Sequence, residues 1–196
     1  TTLFDEEELD NKDKEHLRQN INDAWREIYY QLGRNKNHPL SDDEFLKAHW
    51  TVYFQYTRRK GDDYIKFLLD KFSPKNVFDK HPVVIENEVA DPQTEDEYIE
   101  DEEITENGEE ETILVSELAP KEIDTYVNSL KDISEYWYYT FFPYDSNELS
   151  NIEKQWVNKL NRIGIGYFRP LVAVALSLKK EVEPNERIYL LKEIER

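Results

Sequence analysis

Forty consecutive residues, 81–120, contain no Lys or Arg but hold 15 Asp and Glu, with Glu100-Asp101-Glu102-Glu103 and Glu109-Glu110-Glu111 as its densest runs. Like charges at this density repel one another and cannot be buried together, so the stretch must stay in water and divides whatever core the chain builds. The rest of the chain holds 28 acidic against 25 basic residues, a net of -3 out of the total of -18. The body is therefore close to neutral, and a single segment makes the protein acidic. Asp91-Pro92 and Asn107-Gly108 are turn signals, and apolar residues between them are sparse. This marks 83–117 as a solvated acidic insertion or linker, irregular for most of its length, within which Val83–Ile85 and Ile113–Val115 could form a short hairpin; the alternative is a DNA-mimicking strip or a cation-binding loop. A calcium loop is a poor match: Glu106-Asn107-Gly108-Glu109 lacks the alternating oxygen ligands that such loops place around their glycine. The segment could also serve as a docking strip for a protein partner.

Outside it, apolar residues recur at steps of three and four. Leu17, Ile21, Ala24, Trp25, Ile28, Tyr29 and Leu32 form one helical stripe closed by Gly33. Ser41-Asp42-Asp43-Glu44 reads as a capping box opening a second helix with Phe45, Leu46, His49, Val52, Tyr53 and Tyr56, which is expected to stop near Gly61. A third is expected from about Asp62 to Phe72, with Tyr64, Ile65, Leu68, Leu69 and Phe72 inward and Pro74 closing it. Beyond the acidic block, Pro120 suits a helix start, and Ile123, Val127, Leu130, Tyr136, Trp137 and Phe141 carry the stripe to Pro143. Ser150-Asn151-Ile152-Glu153 is a second capping box, followed by Trp156, Leu160 and Ile163. Pro170 and Pro184 each start a further helix. The expected fold is all-α, a bundle of six to seven helices interrupted once by the acidic insertion. Its first part is 1–82 and its second 118–196, the two packing as a single domain.

With 26 aromatics, 13 of them Tyr, the body has ample material for a core. No apolar run approaches the roughly 20 residues needed to span a bilayer. No Cys is present, which removes disulfides, thiol catalysis and Cys-ligated zinc and fits a cytoplasmic protein. There is no Met either, even at position 1, so the chain is expected to be an excised or processed piece of a longer reading frame.

Chemistry-bearing patterns are few. His16, His38, His49 and His81 show no zinc-binding spacing, and no phosphate loop or dinucleotide fingerprint occurs. His49 reads as an ordinary packing or surface residue. The most unusual local string is Arg162-Ile163-Gly164-Ile165-Gly166-Tyr167-Phe168-Arg169-Pro170. Arg162, Gly164, Gly166, Tyr167 and Arg169 could meet an anion or nucleic acid at the start of the next helix. Alternatively, they make a tight helix–helix corner, with the glycines giving backbone freedom and the aromatics buried. Arg58-Arg59-Lys60 is the other basic cluster, explained equally by a nucleic-acid contact or by a helix C-terminus. No catalytic residue and no metal ligand is assigned.

Three strings, INDAWREIYYQLG from Ile21 to Gly33, DEFLKAHW from Asp43 to Trp50, and RIGIGYFRP from Arg162 to Pro170, resemble the helical part of the Gmr-type modification-dependent restriction endonuclease family. Those are bacterial defence proteins with a ParB-like N-terminal domain. The resemblance implies a non-catalytic helical domain that supports or couples a nucleotide-dependent nuclease lobe and helps to engage DNA. It also implies a partner lobe N-terminal in the same polypeptide, and a nucleotide and divalent metal used by the parent protein rather than by this segment. The Asp-Gly-Gln-Gln-Arg motif tied to that nuclease activity is absent here, as is a recognisable His-Asn-His module. No family catalytic residue therefore transfers to any position of this chain.

Overall fold

Helix α1 (Asn11–Gly33) forms where the first apolar stripe lies, and Ala24, Ile28 and Leu32 are buried on one face. It is the first element of a computed structural model that describes residues 11–54, 63–85, 111–164, 166–178 and 184–195. After Gly33 the chain reverses through an Asn35 turn, whose side-chain oxygen accepts the amides of Asn37 and His38. The Leu40 amide then donates to the Leu32 carbonyl at 2.9 Å and sets the start of α2 (Asp42–Tyr53). Ser41 caps α2 by accepting from the Glu44 amide at 3.3 Å. The return bond that would complete a capping box is not found among the described residues, and Glu44 instead lends its charge to Arg169. The helix ends at Tyr53, with Phe54 as its C-cap. The expected extension to Gly61, Tyr56 included, falls outside the described residues.

The third helix, α3 (Tyr64–Lys71), is capped by Asp63, whose carboxylate accepts from the Ile65 amide at 2.9 Å. Its inward set is smaller than its spacing implies. Leu68 and the following Phe72 pack on the core, whereas Ile65 and Leu69 are exposed. An eight-residue helix packed along one narrow line shelters only the centre of its stripe. Pro74 does not merely close α3: with Ser73 as N-cap it opens a single-turn helix, α4 (Pro74–Phe78), because proline's fixed φ suits a first turn. Strands β1 (Lys80–Ile85) and β2 (Glu111–Ser116) follow as an antiparallel pair with Val83 opposite Ile113. The ladder extends beyond the three-residue segments that hydrophobicity marks. Residues 86–110, which carry most of the acidic block, lie outside the described residues. The return to the body is tied by the Leu118 amide donating to the Asn76 carbonyl at 2.9 Å.

Then come α5 (Pro120–Phe141), a 3-10 turn at Pro143–Asp145, α6 (Asn151–Ile163), a 3-10 turn at Gly166–Phe168, α7 (Arg169–Ser177) and α8 (Pro184–Glu195). Seven helices of eight or more residues, with α4 as a one-turn addition, make an all-α bundle among the described residues. Two core clusters fill it. The first joins Ala24, Ile28 and Leu32 of α1 to Phe45 and Ala48 of α2 and to Tyr126, Val127, Leu130 and Trp137 of α5, with Ala173 of α7. The second joins Tyr138 and Tyr139 of α5 to Val157 and Leu160 of α6, Val172 and Leu176 of α7 and Leu191 of α8. Residues from before and after the acidic block thus share one core.

The second cluster is fastened by a buried ion pair. Ser150 and Glu153 complete a reciprocal capping box: the Glu153 amide donates to Ser150 Oγ at 3.3 Å, and the Ser150 amide donates to Glu153 Oε2 at 2.7 Å. The other carboxylate oxygen accepts from Arg187 Nε and Nη2 of α8, both at 2.7 Å. The two side chains are 1% and 4% exposed. Burial by itself would raise the Glu153 pKa. The Ser150 hydrogen bonds and the Arg187 guanidinium overcome it and hold the carboxyl below its usual range. Removing one member of such a pair strands the other charge out of water. Arg187→Ala should therefore lower stability by about 3–5 kcal/mol at neutral pH, read as a fall in the urea midpoint. A loss under about 1 kcal/mol would show that Glu153 has another route to solvation.

Candidate interaction site at the helix corner

The α6–α7 corner begins with the last turn of α6, which ends in Gly164 at φ 83° and ψ 53°. That left-handed conformation strains any residue with a Cβ, so Gly164 is required for geometry. Gly166 is different. Its φ is not positive, and a Cβ placed on it would meet nothing within 4 Å. Only one of the paired glycines is thus demanded by the turn. Ile165 between them lies outside the described residues.

Both aromatics of the corner face water. Tyr167 is 94% exposed and Phe168 55%, with Ile163 at 57% before them and Leu171 at 51% after. The corner with buried aromatics that the sequence allows is not what forms. Ile163 also leaves the stripe assigned to it, because the buried face of α6 is complete with Val157 and Leu160. On α7 the buried positions are Val172, Ala173, Ala175 and Leu176, so Leu171 lies on the outer side.

The two arginines have separate fates. Arg162 is exposed in the final turn of α6. Arg169 turns inward: Nη1 donates to the Thr140 carbonyl at 3.0 Å and to Asn161 Oδ1 at 3.0 Å, and its guanidinium lies 3.8 Å from the centre of the Phe141 ring. Asn161 Nδ2 also donates to the Thr140 carbonyl, at 2.8 Å. That carbonyl is among the last four of α5, which have no partner within their own helix, and a cation is favourable there. Burial lowers the Arg169 pKa, partly offset by the Glu44 carboxylate. Arg169 is thereby committed to joining α5, α6 and α7, and of the two corner arginines only Arg162 faces outward. The Arg58-Arg59-Lys60 cluster falls outside the described residues.

His49 is buried, whereas His16, His38 and His81 are exposed. His49 Nε2 lies 2.8 Å from Ser129 Oγ, which superficially resembles a nucleophile and its base. The Ser129 hydroxyl, however, donates to the Tyr126 carbonyl at 2.7 Å. Its oxygen is then the acceptor, and the hydrogen-bond network assigns the imidazole proton to Nε2. A base whose near nitrogen is already protonated cannot take the serine proton. His49 Nδ1 is left as a buried lone pair with no hydrogen-bond partner among the described residues. The ring stacks on Tyr53 at 5.2 Å and meets the edge of Tyr126 at 5.2 Å. Burial pushes the His49 pKa down to about 4 from 6.5. Among the described residues, no group of three or more acidic or histidine side chains is arranged to hold a metal ion, and no helix is long and apolar enough to cross a membrane.

Compared with family models, with curated proteins and with solved structures, the chain matches none.

Two outcomes are expected. Arg169→Gln loses the guanidinium's hydrogen bonds to Thr140 and Asn161 and a stacked cation, and should cost about 1–3 kcal/mol in denaturant titration. Arg162→Gln should stay within about 0.5 kcal/mol of the parent. Equal losses would mean that Arg169 is not the internal tie. For His49 the sign follows from proton binding. Its folded pKa lies below its unfolded one, so the unfolded chain binds more protons between about pH 4 and 6.5, and stability is lost as pH falls through that window. The loss from His49 should reach about 2–3 kcal/mol by pH 4.5. His49→Gln does not titrate, so its stability deficit relative to the parent should shrink by that amount between pH 7 and pH 4.5. Parallel pH profiles would contradict a buried, neutral His49.

Proposed function

We propose that this chain is a non-catalytic helical domain that docks onto another protein surface through the α6–α7 corner. The observation that carries the reading is Tyr167, 94% exposed at the apex of the corner, with exposed Ile163, Phe168 and Leu171 beside it in the chain. Exposed aromatic and aliphatic side chains gathered at one place mark contact surfaces, and Tyr with Arg is the composition that dominates binding energy at them. Arg162 supplies the cation at the rim. A DNA contact by this corner is the weaker form of the proposal. Affinity for DNA rests on many phosphate contacts, and of the two corner arginines only Arg162 is uncommitted. The non-catalytic part rests on His49, whose protonation does not suit it to activate Ser129, and on the absence of the nuclease motif. In the restriction-type defence reading that the sequence suggests, the docked surface is the nuclease lobe of the same polypeptide.

A photo-cross-linking amino acid at Tyr167 tests this in the native cell, with the same group at exposed Tyr29 of α1 as control. A discrete adduct from position 167, absent from position 29 and lost when Phe168 and Leu171 are both changed to Asp, is the expected result. Mapping the cross-linked peptide distinguishes a lobe of the same polypeptide from a separate protein. Adducts of equal yield from both positions, or none from 167, would overturn the reading.

A further inference from the structure

Helix α6 carries a second stripe beside its buried one. Ile152, Trp156, Lys159 and Ile163 follow at steps of four, three and four, which at 3.6 residues per turn places them within an arc of about 60°. Glu153, Val157 and Leu160, the buried residues, occupy the neighbouring arc. Ile152 is 52% exposed and Ile163 57%, and Trp156 is half-buried against the second core cluster. The helix α8 flanks this stripe. Its contacts Glu153–Arg187, Trp156–Lys192 and Lys159–Glu195 advance together, so the two helices run side by side in the same direction. The Lys159 and Lys192 ammoniums lie 4.4 and 5.7 Å from the centre of the Trp156 ring, and Lys159 also pairs with Glu195 at 2.7 Å. The charge of the face is one-sided. The sole acid of α6, Glu153, is buried on Arg187, so the charges that α6 turns outward are Lys154, Lys159 and Arg162. Residues 151–196 hold 9 Lys and Arg against 6 Glu, a net of +3 on a chain of -18.

We propose that the partner docked at the corner is an acidic amphipathic helix, laid along the outer face of α6 with its apolar side on Ile152, Trp156 and Ile163 and its carboxylates on Lys159, Arg162 and Lys192. This rests on the docking reading of the corner, with which the face is continuous through Arg162 and Ile163. Each part of the description has a cause. An apolar stripe of about three turns on one helix matches a helical partner that presents apolar residues at the same spacing. The cations around that stripe select acidic flanks and repel basic ones. Trp156, fixed by core packing on one side and by lysines over its ring, is already ordered and loses little freedom on contact. Nucleic acid fits less well, because phosphates offer nothing to exposed isoleucines and a few cations neutralise few phosphates.

The probe is a synthetic helical peptide of about three heptads, with Leu at a and d and Glu at e and g, where like charges keep it from pairing with itself. It is titrated into the nitrogen-15-labelled full chain, and its twin carries Lys in place of every Glu. Saturable shifts confined to α6, α8 and the Trp156 indole N–H are expected with the Glu peptide, with a Kd on the order of 100 μM or tighter at low salt. The Lys peptide should bind at least about tenfold more weakly. Arg162→Glu combined with Lys192→Glu, both exposed in the parent, should reverse that preference. Ile152→Ser with Ile163→Ser should weaken the Glu peptide by at least about tenfold. No binding, equal binding of the two peptides, an unreversed preference, or shifts centred elsewhere would each overturn the proposal. So would self-association of the chain abolished by the charge-reversed variant, which makes a second copy the occupant, or tighter binding of duplex DNA to the same face. A cross-link from Tyr167 in the cell without peptide binding would leave the corner a docking surface and remove the acidic helix alone. Peptide binding without that cross-link would keep the α6 face and remove the corner.

Discussion

Four consecutive residues of α5, Trp137, Tyr138, Tyr139 and Thr140, are all buried. Four successive residues turn through more than a full circle, so this stretch has no side facing water. A helix enclosed in that way must be packed from every direction, and the rest of the bundle is arranged to do it. Trp137 faces the cluster built with α1 and α2, whereas Tyr138 and Tyr139 face the cluster built with α6, α7 and α8. One turn of one helix thus joins the two halves of the core. The acidic block can interrupt the chain between α4 and α5 because the elements on either side meet again along α5.

Enclosing such a turn brings polar atoms inside, and the surrounding elements satisfy many of them. The Tyr138 hydroxyl donates to Asp145 at 2.6 Å and that of Tyr139 to Glu135 at 2.5 Å. Burial, followed by the Asp145 carboxylate, pushes the Tyr138 phenol up to about 12. Arg34, just past α1, lies 4.8 Å over the Tyr138 ring and donates to the Asp145 carbonyl at 3.2 Å, fixing the first reversal of the chain against α5. At the far end Arg169 and Asn161 share the Thr140 carbonyl. That commitment separates the two corner arginines: the one nearer α5 is held by its end, and the other is left outside with the aromatics. The same packing produces a cavity beside His49, where α2 and α7 lean on α5 without completely filling the space between them.

Much of this is legible from residue spacing, because helices are written locally. The stripes of α1 and α5, the Ser150–Glu153 box and the prolines that open α5, α7 and α8 need only neighbours within a turn or two. What local pattern cannot supply is the far partner. Glu153 reads as a capping residue, and so it is, but its second oxygen answers to Arg187 of α8, a contact with no signal in spacing. Arg169 and Arg162 look equivalent in sequence, and the difference between them is the position of the α5 terminus. Glu44 has the right spacing for a return bond, yet that bond is not formed. The exposed corner had a faint signal: Tyr167 and Phe168 follow a glycine, ahead of the apolar stripe of α7. Sequence alone offers no way to weigh that against burial, since aromatics are usually inside.

The dependence of both core clusters on α5 is tested most directly by native-state hydrogen exchange. Amides of α5 from about Trp137 to Phe141 should open only by global unfolding, and the slowest amides of α1 and of α6 should share that opening free energy within about 1 kcal/mol. The same denaturant dependence should hold for all three, as one cooperative unit requires. If the α6–α8 half opened separately at a distinctly lower free energy while α1, α2 and α5 stayed protected, α5 would not be the element that joins the two halves.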